Sequence, residues 1–345
     1  MQKPFFSIII PAYNLENYIA AALQSVLVQT FQDFEIIIVD DGSSDETVSI
    51  IQSFHDPRIR LVSQVNGGVS RARNAGMKKA VGAYIAFMDG DDYWYPEHLE
   101  LAADFFNRHP EILVYANRYM RDELEAIPPR PPSYPESIRR LGIRGVLFMN
   151  SSSVILNSFL ASRLPPWEET MPYGEDGLYW TRCRRGTGLI GLGGSVTSIY
   201  RQRASSAMHD EHYQHVSLHS LIAPLLNELE AMKNPKWQFA VHYLVIRELH
   251  PKRLLSLNAE ERISLTGRIR KIMHPCLNRP FLDSYMKACS ARAGMEQSFS
   301  ALMDRTMFSC KWLDRLERMG RSLFFRLQTN NGMESKHQDP VRSRS

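Results

Sequence analysis

The sequence predicts an α/β fold with a mostly parallel central sheet, and three observations carry that reading. Strand and helix signals alternate four times within the first 116 residues, the order expected of parallel strands with helices on both faces. The strands are continuous apolar, β-branched runs, as in strands buried on both sides. Carboxylates stand directly behind two of them, at 40-DDGSSDE-46 and 88-MDGDD-92.

Phe6–Ile10 is the first strand. Within 15-LENYIAAALQSVL-27, Ile19, Leu23, Val26 and Leu27 share one helical face. The second strand is 34-FEIIIVD-40, and 43-SSDE-46 has the spacing of a capping box that opens the next helix. Residues 59–63 read as a third strand, 69–81 as a third helix and 83–88 as a fourth strand. Pro96 suits the first turn of a helix over 96–109, and 112–116 is a fifth strand. Beyond a Pro-rich loop at 127–135, residues 145–156 read as one or two strands and 188–201 as a closing hairpin. From about His215 the pattern turns helical, over 216–232, 238–250 and 311–327. The expected organisation is an α/β domain over 1–214, a helical region over 215–327 and a disordered polar tail over 328–345.

At 345 residues, 44% apolar and 23% charged, the chain can bury a sizeable core. Four scattered cysteines with no CxxC pair point to reduced thiols rather than a disulfide framework or zinc site. No secretory signal is visible and no apolar run approaches the ~20 residues that span a bilayer. The expected location is the cytoplasm, with peripheral contact at the inner face of the membrane left open. The net charge of +4 hides an asymmetry: residues 251–345 carry 18 Lys+Arg against 9 Asp+Glu, and the first 250 carry 23 against 28. Two regions with different partners are expected. The basic end does not imply nucleic acid, since the strand-end acids repel phosphate unless a metal intervenes.

The stretch 87-FMDGDDYW-94 places three carboxylates within four residues. Charges this close must be hydrated or neutralised, so a solvated turn and a divalent-metal site are the two readings. Parallel sheets bind ligands at the carboxyl ends of their strands, and both acidic clusters belong to that edge. This favours the metal. Mg²⁺ and Mn²⁺ prefer hard carboxylate oxygens, and Asp89 and Asp91 flank the small Gly90. There is no GxxxxGK[ST] loop, no GxGxxG after the first strand, and no HExxH or GxSxG motif.

Four segments in order, 11-PAYN-14, 40-DDGSSDE-46, 66-NGGVSRARNAG-76 and 88-MDGDD-92, resemble family 2 of the inverting glycosyltransferases, whose nucleotide-sugar-binding fold is called GT-A. A fifth, 174-GED-176 followed by Arg182, resembles that family's acidic catalytic motif. The resemblance covers about the first 200 residues. It implies a nucleotide-diphosphate sugar donor (a UDP-sugar), a glycan or lipid-linked acceptor, and Mn²⁺ or Mg²⁺ as cofactor.

By the same resemblance Asp91 and Asp89 hold the metal, and Asp92 turns to the ribose or a metal-bound water. Asp40 accepts from the uracil ring, and Pro11, Ala12 and Tyr13 form the shelf beneath the base, with Tyr13 as plain core the alternative. Asp41 orders the Gly42 turn or the ribose. Arg73 is the stronger candidate for phosphate oxygens, whereas Arg71 reads equally as a solvated face. Asp176 is the general base, Glu175 positions or binds the acceptor, and Arg182 pairs with either carboxylate; an acidic helix N-terminus is the plainer reading of the pair. Arg201, Arg203 and His209 are candidates for the diphosphate or metal. The QxxRW motif of processive synthases is absent, which favours single transfer. The alternative function is a non-catalytic nucleotide-sugar-binding protein or a nucleotidyltransferase on a related fold. In residues 311–327 an apolar face flanked by arginines reads either as a membrane-surface helix or as one packed on the catalytic domain.

Overall fold

A computed structural model describes residues 3–123, 126–139, 149–171, 173–202, 218–231 and 245. Strands β1 (Phe6–Ala12), β2 (Phe34–Asp40), β3 (Ile59–Ser63) and β4 (Tyr84–Phe87) pair in parallel in the spatial order β3-β2-β1-β4. Helices α1 (Ile19–Leu27), α2 (Thr47–Gln52) and α3 (Val69–Met77) connect them. The second half is mixed. It contains β5 (Tyr93–Trp94), α4 (His98–Arg108), β6 (Val114–Asp122), β7 (Ser137–Arg139), β8 (Val154–Asn157), α5 (Ser158–Ala161), α6 (Glu175–Gly186) and β9 (Ile190–Arg201). Here β8 runs antiparallel to β4 and β6, while β9 pairs in parallel with β6. Among the described residues nine strands form one sheet.

Every residue of β1 is buried, and its alternation feeds two cores. Phe6, Ile8 and Ile10 pack with Ile19, Leu23 and Val26 of α1 and with Leu99, Phe105 and Phe106 of α4. Ile9 faces the other way, joining Phe87, Leu156, Trp167, Tyr179 and Trp180. Each such fully buried side chain contributes roughly 1.5–3 kcal/mol, so the central strands are held from both faces.

Several expectations shift. Residues 43–46 form no capping box: α2 starts at Thr47, whose backbone N–H is capped by Asp45 Oδ1 at 3.0 Å. Ser43 instead accepts from Asn14 N, tying the loop after β1 to the loop after β2. The expected hairpin at 188–201 is one twelve-residue strand, β9, because β6 continues to Asp122 and offers a long parallel edge. Residues 151–153 form a 3₁₀ turn rather than strand. A further helix, α7 (Leu218–Ala231), falls within the helical region expected after residue 215. The helices expected at 238–250 and 311–327, the tail and the domain boundary at 214 lie outside the described residues, apart from Val245 within the first of those helices.

Candidate active site

The carboxyl edges of β1 and β2 are held level by register, Ala12 opposite Asp40, and by Asp41 N donating to Ala12 O at 2.8 Å. Pro11, Ala12 and Asp40 are buried there, and Asp40 Oδ1 accepts from Ser43 N at 3.0 Å. Tyr13 is 49% exposed, which removes the core alternative and leaves its ring open over the edge. Asp41 is held by the segment that leads into α3. Its carboxylate accepts from Gln64 Nε2 at 2.7 Å, from Gly67 N at 3.0 Å and from Gly68 N at 2.7 Å. It therefore shapes the turn into α3, not the Gly42 turn. Gly68 sits at φ +87°, a conformation open to glycine, so both backbone N–H groups can face one carboxylate.

Behind β4, Gly90 lies where an added Cβ would sit 2.7 Å from Leu15 Cδ1 and 3.1 Å from the Pro11 carbonyl oxygen. Glycine is needed here for close approach to the β1–α1 segment. Asp89 N donates to Ser152 Oγ at 3.0 Å, and Asp91 is half-buried with its carbonyl accepting from Arg201 Nε at 2.8 Å. Asp92 turns inward. It is buried, accepts from Ser152 Oγ and from Arg201 N, and fastens the end of β9 to the acidic turn. Burial first, then Asp91 and Asp89, push its carboxyl well above the usual carboxylate range.

Arg73 joins the two acidic regions. From the buried side of α3 its Nη2 lies 2.7 Å from Asp89 Oδ1 and its Nη1 2.9 Å from Glu175 Oε1. Its guanidinium rests over the Trp167 ring at 4.4 Å, and the Asp89 and Glu175 charges raise its pKa against the opposing effect of burial. Glu175 and Asp176 open α6 after Gly174, which sits at φ +77°. Burial, then the Asp176 charge, push the Glu175 carboxyl up to about 7; one guanidinium shared between two carboxylates only partly offsets them. Asp176 is half-buried, with Oδ1 accepting from Gly177 N at 2.6 Å. The pair thus divides into a locked carboxylate and a more open one.

Arg182 pairs with neither of them. It donates to Glu228 Oε2, to the Pro166 carbonyl and to Glu168 Oε2, because two helical turns carry it away from the head of α6. Arg71 is exposed. Arg201 lies beside the acidic turn, but Arg203 and His209 are outside the described residues. Sequence reasoning missed Ser152, Asn74 and Trp167, since a serine run and a lone tryptophan carry no spacing signal.

Among the described residues no three His, Cys, Asp or Glu side chains converge as metal ligands. A cation bound together with a diphosphate needs fewer: Mg²⁺ uses one or two carboxylates and takes its remaining oxygens from phosphate and water. Half-buried Asp91, with Asp89 two residues before it, supplies hard oxygens of that kind, so the donor set fits.

A parallel half-sheet with acids at its carboxyl edge, facing an acidic helix start across one arginine, defines a GT-A domain. Solved structures carry the same fold. Staphylococcus aureus TarS 1–349 in complex with UDP-GlcNAc matches with a TM-score of 0.61 at 20% identity, over 89% of this chain and 92% of that one. The mannosyltransferase PcManGT of Pyrobaculum calidifontis, in complex with GDP-Man and Mn²⁺, matches with 0.54 at 15% identity, over 90% and 88%. The Glycosyl transferase family 2 model matches residues 7–162. The Escherichia coli UDP-Glc:alpha-D-GlcNAc-diphosphoundecaprenol beta-1,3-glucosyltransferase WfgD is 30% identical over 212 residues, 60% of this chain and 80% of that protein. This chain belongs to glycosyltransferase family 2. It spans only 27% of the length of another relative, the Bacillus subtilis glycosyltransferase EpsJ (50% identical over 92 residues, 26% of this chain).

Proposed function

We propose that the chain moves one sugar from a nucleotide-diphosphate sugar, a UDP-sugar, to a hydroxyl of a glycan or lipid-linked acceptor, with inversion at the anomeric carbon. The observation that carries this reading is Arg73, whose guanidinium pairs with both Asp89 and Glu175 and so joins the two acidic motifs. Asp40, Pro11, Ala12 and Tyr13 hold the base; Asp41 acts through the Gly67–Gly68 turn. Arg73 and Gly90 set the diphosphate side, and Asp91 and Asp89 are the metal ligands. Mn²⁺ or Mg²⁺, when bound, offsets charge on the departing diphosphate.

Asp176 takes the acceptor proton from the face opposite the leaving group. Its openness beside a locked Glu175 suits it to that role, while Glu175 orients Arg73. The domain boundary near residue 214 and contact of the basic C-terminal helices with an anionic membrane belong to this reading, with a lipid-linked acceptor as its reason. No described helix is long and apolar enough to cross a membrane.

The test is turnover of a panel of nucleotide sugars with Mn²⁺, following release of the nucleotide diphosphate and the anomeric configuration of the product by NMR. Release from one UDP-sugar with an inverted product is expected. Retention, or no release from any donor, overturns the reading.

A further inference from the structure

Arg182 and Glu228 belong to a chain of contacts that the chemistry proposed above does not use. Their side chains are 9% and 10% exposed. Glu228, on α7, accepts from Arg182 Nε at 3.0 Å through Oε2 and from Arg185 Nη1 at 2.6 Å through Oε1, so both its oxygens are engaged. Arg182 Nη2 also lies 3.0 Å from Glu228 Oε2, and the guanidinium reaches the segment before α6 through Nη1, which donates to the Pro166 carbonyl at 2.9 Å, and through a longer approach of Nη2 to Glu168 at 3.5 Å. It grips the residues on either side of Trp167.

Trp167 is itself clamped from the opposite direction. Its backbone N–H donates to Asn74 Oδ1 and its carbonyl accepts from Asn74 Nδ2, both at 2.9 Å. Its ring stacks on Tyr179 with centroids 4.0 Å apart and forms the floor beneath the Arg73 guanidinium. Asn74 adjoins Arg73 on α3, so the same tryptophan is tied to the helix that bears Arg73 and to the helix that bears Glu175 and Asp176.

We propose that Glu228 is a positioning residue for sugar transfer, acting through Arg182 and Trp167 on Arg73. The proposal rests on the reading of function above. The physical reason is that a buried guanidinium needs its carboxylate. Without Glu228, Arg182 keeps one distant acid and a carbonyl, and it must turn toward water or toward Glu168. Either movement displaces the backbone around Trp167, and with it the floor that sets Arg73 between Asp89 and Glu175. Shifts of about an ångström remote from the reacting atoms can cost up to ~10²-fold in rate. The contact also gives α7, which lies beyond the residues 7–162 matched by the family model, a part in the active site.

The test compares Glu228→Gln with Arg185→Gln in the full-length protein, measuring kcat and donor KM per folded molecule, with thermal unfolding alongside. Arg185 binds the same carboxylate but makes no hydrogen bond or ion pair with the Trp167 segment, so it reports the merely structural worth of the α6–α7 junction. Glu228→Gln is expected to lower kcat about tenfold with donor KM within about twofold, and Arg185→Gln to stay near wild type. Glu228→Asp should recover part of the rate, and it serves in place of Glu228→Gln if the glutamine variant does not fold. A Glu228 variant with kcat within twofold of wild type, or one matched by Arg185→Gln, overturns the proposal. Absence of turnover in the wild-type protein overturns the reading of function instead.

Discussion

Arg73 and Glu175 are 102 residues apart in sequence and 2.9 Å apart in space, both side chains almost wholly out of water. The other arm of the same guanidinium holds Asp89. Removing Arg73 therefore strands one buried carboxylate and frees one at the rim.

Arg73→Gln is expected to destabilise the protein by on the order of 3 kcal/mol, the cost of breaking a buried ion pair from one side. Urea denaturation measures it. A loss under about 1 kcal/mol would mean that Glu175 is solvated once unpaired.

Asp176→Asn changes almost no volume and removes only proton acceptance. Turnover should fall on the order of 10²–10⁴-fold while UDP and metal bind as before, with Glu175→Gln less damaged. Near-normal turnover at saturating acceptor would assign the base elsewhere.

Asp91→Asn should abolish the dependence of UDP affinity on Mn²⁺ or Mg²⁺, seen by calorimetry with and without the cation. If UDP affinity responds to metal as in the wild type, the ligand lies on other residues.

Glu175 sets a pH dependence with a definite sign. Its native carboxyl sits at about 7, against an ordinary 4.5 in the unfolded chain. Between those values the native state binds the extra proton, so this contribution to stability is present below pH 4.5 and is lost as pH rises through 7. Glu175→Gln cannot titrate there. Relative to wild type it should gain stability between pH 5 and 7.5, on the order of a few kcal/mol. Parallel melting-temperature curves for the two proteins across that range would falsify the shift.

Much of the fold could be read from residue order. Apolar runs such as 6-FSIII-10 and 34-FEIIIVD-40 have a local cause, since a strand buried on both faces must be apolar at every position. Once the strands are parallel, their carboxyl ends share an edge, so the company of Asp40 and Asp89 was also legible. Roles that depend on partners were not. Asp41 and Asp92 are each the second acid of an Asp-Asp pair, beside Asp40 and Asp91, yet one organises the Gly67–Gly68 turn and the other anchors β9.

The sequence by itself determined the alternating strands and helices of the first half, the strand-end acids and the family, because these follow from spacing along the chain. Only the tertiary structure decided which carboxylate is locked and which is open, and that Arg182 serves Glu228 rather than the acids two turns before it. A side chain's charge, partner and exposure depend on what is packed within a few ångströms of it. For Arg73 those neighbours come from residues 89, 167 and 175, which no spacing along the chain connects.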